Sequence, residues 1–591
     1  MSPRNPELLI KGGTVVDGTG RDRFVADIAI SGGLVTEVRP TAGDGSGGID
    51  ADAREVIDAR GLIVTPGFVD VHTHYDGQAT WDEVLNPSTG HGVTTIVTGN
   101  CGVGFAPVPK GREQWLIELM EGVEDIPGTA LAEGIKWDWE TFPEYLDALE
   151  RRRHSIDVGS QIAHGAVRAF VMGERGARNE PASSDDIAAM GRIVQEAIEA
   201  GALGFSTSRT LGHRAMDGEP VPGTFAAEDE LFGLGRAMAR GGRSVFELAP
   251  MGAGGEDLVA PHKEVDWMCR LAAEIGMPVS FALLQVDAAP NLWRELMDAS
   301  LAATERGAPV YPQVAGRPFG MLVGLETHHA FKKRPTYAKL ASELPFTQLV
   351  AQLREPSVRR TILDEQDLPM DRSVLFDSMN KAIQAQLHKV YVLGSPPNYE
   401  PTREQSVLAI ANARNIDPLE LLYDLLLEQD GHALLMLPIF NYFDANLDAV
   451  REMFTHPAGV AGLGDGGAHC GMICDASIPT FLLTHWVRDR TRGDKLSLEW
   501  VVKKQTADTA RLYGLGDRGL LTAGKKADLN VIDLANMTLH SPRVAYDLPA
   551  GGRRLLQEAS GYVATIVSGE VIRRNGVDTG ARPGSVLRGA R

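Results

Sequence analysis

Between residues 61 and 510 the chain alternates short apolar runs with longer amphipathic stretches. The apolar runs include TTIVTG (94–99), DVGSQIAH (157–164), ALGFSTS (202–208), RSVFELA (243–249), PVSFALLQ (278–285), PVYPQVA (309–315) and VAGLGDG (460–466). Each has the length of a strand. Between some of them lie helix patterns such as SSDDIAAMGRIVQEAIEAG (183–201), which opens on serine and aspartate and stops at glycine. Alternation of this kind predicts βα units around a parallel sheet, and the strand count suits a (β/α)8 TIM-like barrel. Residues 106–155 and 318–420 are too long for simple βα loops, so they are expected to be insertions covering one barrel mouth.

The two ends read differently. ELLIKGGTVVDG and ADIAISGGLVTEV near the start are short β arms around Gly-Gly and Asp-Gly turns, as are KADLNVIDL (526–534) and GYVATIVSGEVIRRNG (561–576) near the end. The tract GDGSGG (43–48) reads as a surface loop. One small β-sandwich assembled from residues 1–60 and 511–591, flanking a barrel over 61–510, accommodates both ends.

Strand ends locate the candidate chemistry, because the C-terminal ends of barrel strands face the mouth. The run VTPGFVDVHTHYD (64–76) brings His72 and His74 to such an end, and side chains two apart on a strand point the same way. Other strand ends supply Asn100 and Cys101, His164, Glu247, Gln285 and, in GLGDGGAHCG, Asp465. Two imidazoles, a thiol and carboxylates form a metal-ligand set. Asp465 stands between glycines, which exposes its carboxylate and lets backbone approach closely. His469, just beyond it, is a candidate substrate contact, and so is Arg317, whose guanidinium could grip a carboxylate with two parallel bonds. Set against these are blander roles: a buried small hydrophobe for Cys101, a turn residue for Asp465, a barrel-interior polar group for His164. The pair His328-His329 reads as solvent-facing, and Cys470 and Cys474 lack a second close cysteine pair for a metal clip.

Composition narrows the setting. A chain of 591 residues with 43% hydrophobic content has ample core for a barrel and a smaller domain. Its net charge of −20 argues against nucleic acid and anionic membranes as partners. Four cysteines are too few for a disulfide framework, no apolar run reaches membrane-spanning length, and the opening MSPRNPELLIKGG lacks a signal-peptide core. The expectation is a cytoplasmic protein acting on a small molecule, with no membrane partner and compatible with a homo-oligomer.

The motifs together resemble one family, the metal-dependent amidohydrolase superfamily, close to its N-acyl-D-amino-acid deacylases. The resemblance rests on LLIKGGTVVDGTG, GLIVTPGFVDVHTH, GVTTIVTGNCGVGFAPV (92–108), IAHGAVRAFVMG (162–173), EAIEAGALGFSTS (196–208) and DRGLLTAGKKADLNVID (517–533), nearly the whole chain. It implies that His72 and His74 bind a divalent metal, zinc as one or two ions; that Cys101 is a thiolate ligand; and that Asp465 binds metal or moves the proton. The sequence departs from the family at the fifth and sixth strands, where the deacylases carry histidine ligands. Glu247 stands at the first position and Leu283 near the second, and residues 214–261 and 263–327 contain no histidine. Three readings follow: Glu247 replaces a ligand, a single ion sits on His72, His74, Cys101 and Asp465, or metal is lost and the chain serves as a binding or scaffold protein. The expected activity is hydrolysis of an amide C–N bond, of an N-acyl amino acid or a cyclic amide.

Overall fold

The computed structural model describes residues 5–41, 47–370 and 378–590. Positions 43–46 of the expected glycine loop and 371–377 of the second insertion lie outside the described residues. Eight parallel strands form the barrel: β1 (Phe68–Asp70), β2 (Val93–Thr98), β3 (Asp157–Ala163), β4 (Gly204–Ser208), β5 (Val245–Ala249), β6 (Val279–Ala282), β7 (Val310–Val314) and β8 (Val460–Ala461). They pair in chain order. The ring closes past the ends of β8 and β1. There Asp465 N donates to His72 O (3.0 Å) and His74 N donates to Gly466 O (2.8 Å). The two segments that carry the candidate ligands are therefore stitched to each other by main chain.

Local chemistry explains these elements. Every residue of β2, β3, β4 and β5 is buried, as the continuous apolar runs require of strands covered on both faces. The first insertion supplies helix α1 (Glu113–Glu124), which ends where Asp125 turns left-handed at φ 51°. Helix α2 (Ser184–Ala200) starts at a reciprocal cap between Ser183 and Asp186 and stops at Gly201, φ 119°.

The chain ends share a nine-stranded mixed sheet. Its strand Ile63–Pro66 pairs with both Leu8–Val15 and Leu529–Ile532, so this domain takes residues up to 66, and the barrel begins at Gly67 rather than at 61. A buried cation network docks the returning segment under the barrel. Arg518 contacts Asp157 of β3 at 2.5 Å and Lys526 contacts it at 2.9 Å. The second insertion has its own apolar core and a three-stranded sheet of Phe319–Val323, Leu435–Phe440 and Tyr391–Val392, so it runs on to about residue 440. His328 and His329 are buried within it, correcting their expected exposure. No helix among the described residues is long and apolar enough to cross a membrane.

Candidate metal centre

The extended run leaving β1 places Asp70, His72, His74 and Asp76 in strict alternation, all buried at the mouth of the barrel. His72 Nδ1 lies 2.7 Å from Gln313 Oε1, and Gln313 Nε2 in turn donates to Ser280 Oγ at 3.2 Å. Since the amide oxygen only accepts, Nδ1 carries the proton and Nε2 presents a lone pair. That lone pair faces Cys101 Sγ at 3.4 Å and Asp465 Oδ1 at 3.5 Å. His74 Nε2 is 3.8 Å from the same Asp465 oxygen. Ligand atoms of His72, His74 and Cys101 all fall within 4.8 Å of one another. Tetrahedral bonds of about 2.0–2.3 Å put ligand atoms roughly 3.3–3.7 Å apart, the range of the His72–Cys101 and His72–Asp465 separations.

Two left-handed turns aim the thiol and the carboxylate. Cys101 has φ 55° and Asp465 φ 45°. Conformations of this kind are sparsely populated for residues with a Cβ and persist only where the surroundings impose them. Around Cys101, Asn100 Nδ2 donates to Thr73 O and Val97 O, and Gly102 N donates to Ser206 Oγ at 3.0 Å. Around Asp465, the segment passes so close to β1 that a Cβ on Gly464 would lie 2.7 Å from Asp70 Oδ2.

The electrostatics is that of an acid nest. Burial pushes His72 down to about 4 and His74 well below the usual imidazole range, so both imidazoles are neutral at pH 7. Burial, reinforced by Asp475, Asp70 and Glu247, holds the Asp465 carboxyl well above the ordinary carboxylate range. Burial and the neighbouring carboxyls of Glu247, Glu124 and Asp465 push the Cys101 thiol up. Several buried polar atoms of this cluster and its neighbours have no hydrogen-bond partner: His74 Nδ1, Glu124 Oε1, Glu247 Oε1, Asp70 Oδ2 and Asp76 Oδ2. Neutral imidazoles, a thiol and clustered, under-satisfied carboxyls fit a divalent cation, whose charge would offset the mutual repulsion.

The structure distributes the expected residues unevenly. His72, His74 and Cys101 converge, and Asp465 Oδ1 lies against both imidazoles. Glu247 stands beside this group. Its Oε2 accepts from Cys101 N at 3.0 Å, and its Oε1 lies 3.7 Å from His72 Nδ1, the ring nitrogen turned away from the cluster. Arg317 is corrected as a substrate contact. It is 1% exposed, with its guanidinium on Asp475 (2.7 Å), Ser477 Oγ (2.9 Å) and the Tyr399 ring face (4.3 Å). His469 sits at the outer edge, its Nε2 3.9 Å from Asp465 Oδ2 and its ring edge-on to Phe319. His164 is held by Thr207 and Glu230. Gln285 braces the 441–443 turn.

Five contributors were not singled out in the sequence. Asp70 and Asp76 were legible, since they continue the two-residue alternation of the histidines. Gln313 stands one residue before the end of β7 and could have been read from that position. His213, held by Ser208 Oγ at 2.9 Å, and Glu124, from the covering insertion, carry no local motif.

Comparison with known proteins places the chain. The model of the amidohydrolase family matches residues 55–573. The D-aminoacylase of Alcaligenes xylosoxydans xylosoxydans is 31% identical over 316 residues, 52% of this chain and 58% of that enzyme's length. The N-acyl-D-aspartate deacylase of the same organism is 26% identical over 99% of this chain and 96% of its own. The crystal structure of N-acyl-D-glutamate deacylase from Bordetella bronchiseptica, complexed with zinc and a phosphonate inhibitor, superposes with a TM-score of 0.63 at 23% identity. That match covers 99% of this chain and 100% of the other.

Proposed function

The chain belongs to the amidohydrolase family, hydrolases of amide C–N bonds, and from that premise we propose that it cleaves the amide of a small N-acylated amino acid, D-configured ones first among them. The observation that carries the reading is the convergence of His72, His74 and Cys101 at the barrel mouth, with Asp465 against both imidazoles. Asp465 turns one oxygen to both imidazoles and the other toward His469. We assign one divalent ion to these four residues, zinc suiting two imidazoles and a thiol. Bound there, such an ion supplies a Lewis acid for the amide carbonyl and lowers the pKa of a water toward neutrality.

The chain's own groups do the rest. Gln313 keeps His72 in the tautomer that offers Nε2. Asp465 Oδ2 accepts the proton of the attacking water and returns it to the departing nitrogen. It is a base only when a cation offsets the burial and neighbouring acids that otherwise keep its carboxyl protonated. Glu247 braces the Cys101 turn from beneath. The likeness to D-aminoacylase and the N-acyl-D-aspartate deacylase supports the substrate class.

The test is turnover by zinc-loaded protein on matched N-acetyl-D- and N-acetyl-L-amino acids and on cyclic amides. Release of free D-amino acid, abolished by chelation and restored by zinc, supports the reading. Turnover confined to the cyclic amides, or none by protein that has bound zinc, contradicts it.

A further inference from the structure

Helix α1 of the first insertion reaches the barrel mouth with its last residue. Its final turn is fixed from two sides. At Gly122 the helix packs so tightly on the loop after β4 that a Cβ would lie 2.4 Å from Arg214 O. At its end, the main-chain carbonyl of Glu124 accepts from His469 N, and Asp125 Oδ2 accepts from Gly471 N at 2.8 Å. The Glu124 side chain at this helix end is 1% exposed. Its Oε1 lies 3.3 Å from His74 Nδ1 and its Oε2 3.7 Å from His469 Nε2.

The pairing with His74 is notable for what surrounds it. His74 Nδ1 and Glu124 Oε1 are both buried, neither has a hydrogen-bond partner elsewhere, and they face each other. The other histidine of the cluster already has such a partner, since Gln313 Oε1 receives the Nδ1 proton of His72. An imidazole that binds metal through Nε2 must place its proton on Nδ1, and a carboxylate receiving that proton fixes the ring and makes it a stronger donor.

We infer that Glu124 is the positioning residue for His74, so that the covering insertion completes the metal centre rather than only roofing it. The inference rests on the metal reading above and adds the residue that sets the tautomer of its second histidine.

The experiment is zinc affinity of the full chain by competition with a chelating indicator, for wild type, Glu124→Leu, Glu124→Gln, Glu124→Asp and Asp125→Ala. Loss of a carboxylate partner to a ligating histidine typically weakens metal binding about 10–100-fold, and that loss is expected for Glu124→Leu. Glu124→Gln restores an acceptor oxygen, as Gln313 provides for His72, and is expected to bind within a few-fold of wild type. Asp125→Ala loosens the same helix end without touching His74 and is expected to bind like wild type. Should Glu124→Leu not fold, Glu124→Asp, which draws the oxygens back by one methylene, is expected to lose several-fold. Wild-type affinity in the Leu or Asp variant overturns the inference, and so does an equal loss in Asp125→Ala, which would mark mere anchoring of the helix. If wild type itself binds no zinc, the metal reading falls and this inference with it. If wild type binds and the Glu124 variants match it, only the inference falls.

Discussion

Glu247→Gln separates a ligand from a brace. Glu247 is fully buried in β5, and burial pushes its carboxyl up to about 8 from the ordinary 4.5, with the Cys101 N–H offsetting part of that rise. A folded-state value above the unfolded one means the folded chain holds the proton more tightly. The associated stability is fully present below pH 4.5 and is lost as pH rises toward 8. A shift of this size corresponds to about 3–5 kcal/mol over that window, at roughly 1.4 kcal/mol for each pH unit. Glutamine does not titrate, and its side-chain oxygen can still accept from Cys101 N, so the variant is expected to escape this loss. The assay is unfolding of metal-free wild type and variant across pH 4.5 to 9. The curves should coincide at the acid end and separate above it, the variant becoming the more stable. Zinc binding should be retained, since glutamine keeps an oxygen that can accept from Cys101 N. Parallel pH curves would refute the burial argument. Loss of zinc would make Glu247 a ligand after all.

Other consequences can be checked separately. Asp465→Asn is expected to keep bound metal and lose about 100-fold or more in kcat, the scale of a missing general base; zinc content and turnover on one preparation decide it. Arg317→Met leaves Asp475 as a buried unpaired carboxylate and is expected to cost about 3–5 kcal/mol, read as a lower unfolding midpoint with KM unchanged. A raised KM with unaltered unfolding would return Arg317 to the substrate. Gly464→Ala forces a Cβ against Asp70 and is expected to destabilise by about 1–3 kcal/mol and to displace Asp465, seen as joint loss of stability and zinc binding.

What could be read from the chain follows from how locally each feature is encoded. Barrel strands stand out because burial on both faces needs unbroken apolar runs, and β2 to β7 lie where those runs lie. His72, His74 and Asp465 were legible because strand ends and glycine-flanked turns constrain where side chains point. Cys101 followed from the segment after β2. The domain boundary was placed early because Ile63–Pro66 looks like a barrel strand and is claimed by the terminal sheet only through its partner Leu529–Ile532. Arg317 was misjudged because its partner Asp475 is 158 residues away. Glu247 occupies the expected strand, but which nitrogen of His72 it faces depends on register and ring orientation. Glu124 is in sequence only the last turn of an amphipathic helix, and its role comes from three loops meeting over the mouth.

The central claim is a single metal bound through the Cys101 thiolate beside His72, His74 and Asp465. Titration of metal-free protein with cobalt(II) tests it most directly, because thiolate coordination produces a charge-transfer absorption band. The account predicts that this band saturates at about one equivalent in wild type and is missing in Cys101→Ser, as expected of one four-coordinate site with one sulfur ligand. Saturation at two equivalents, a band that survives the cysteine substitution, or no binding at all would contradict it.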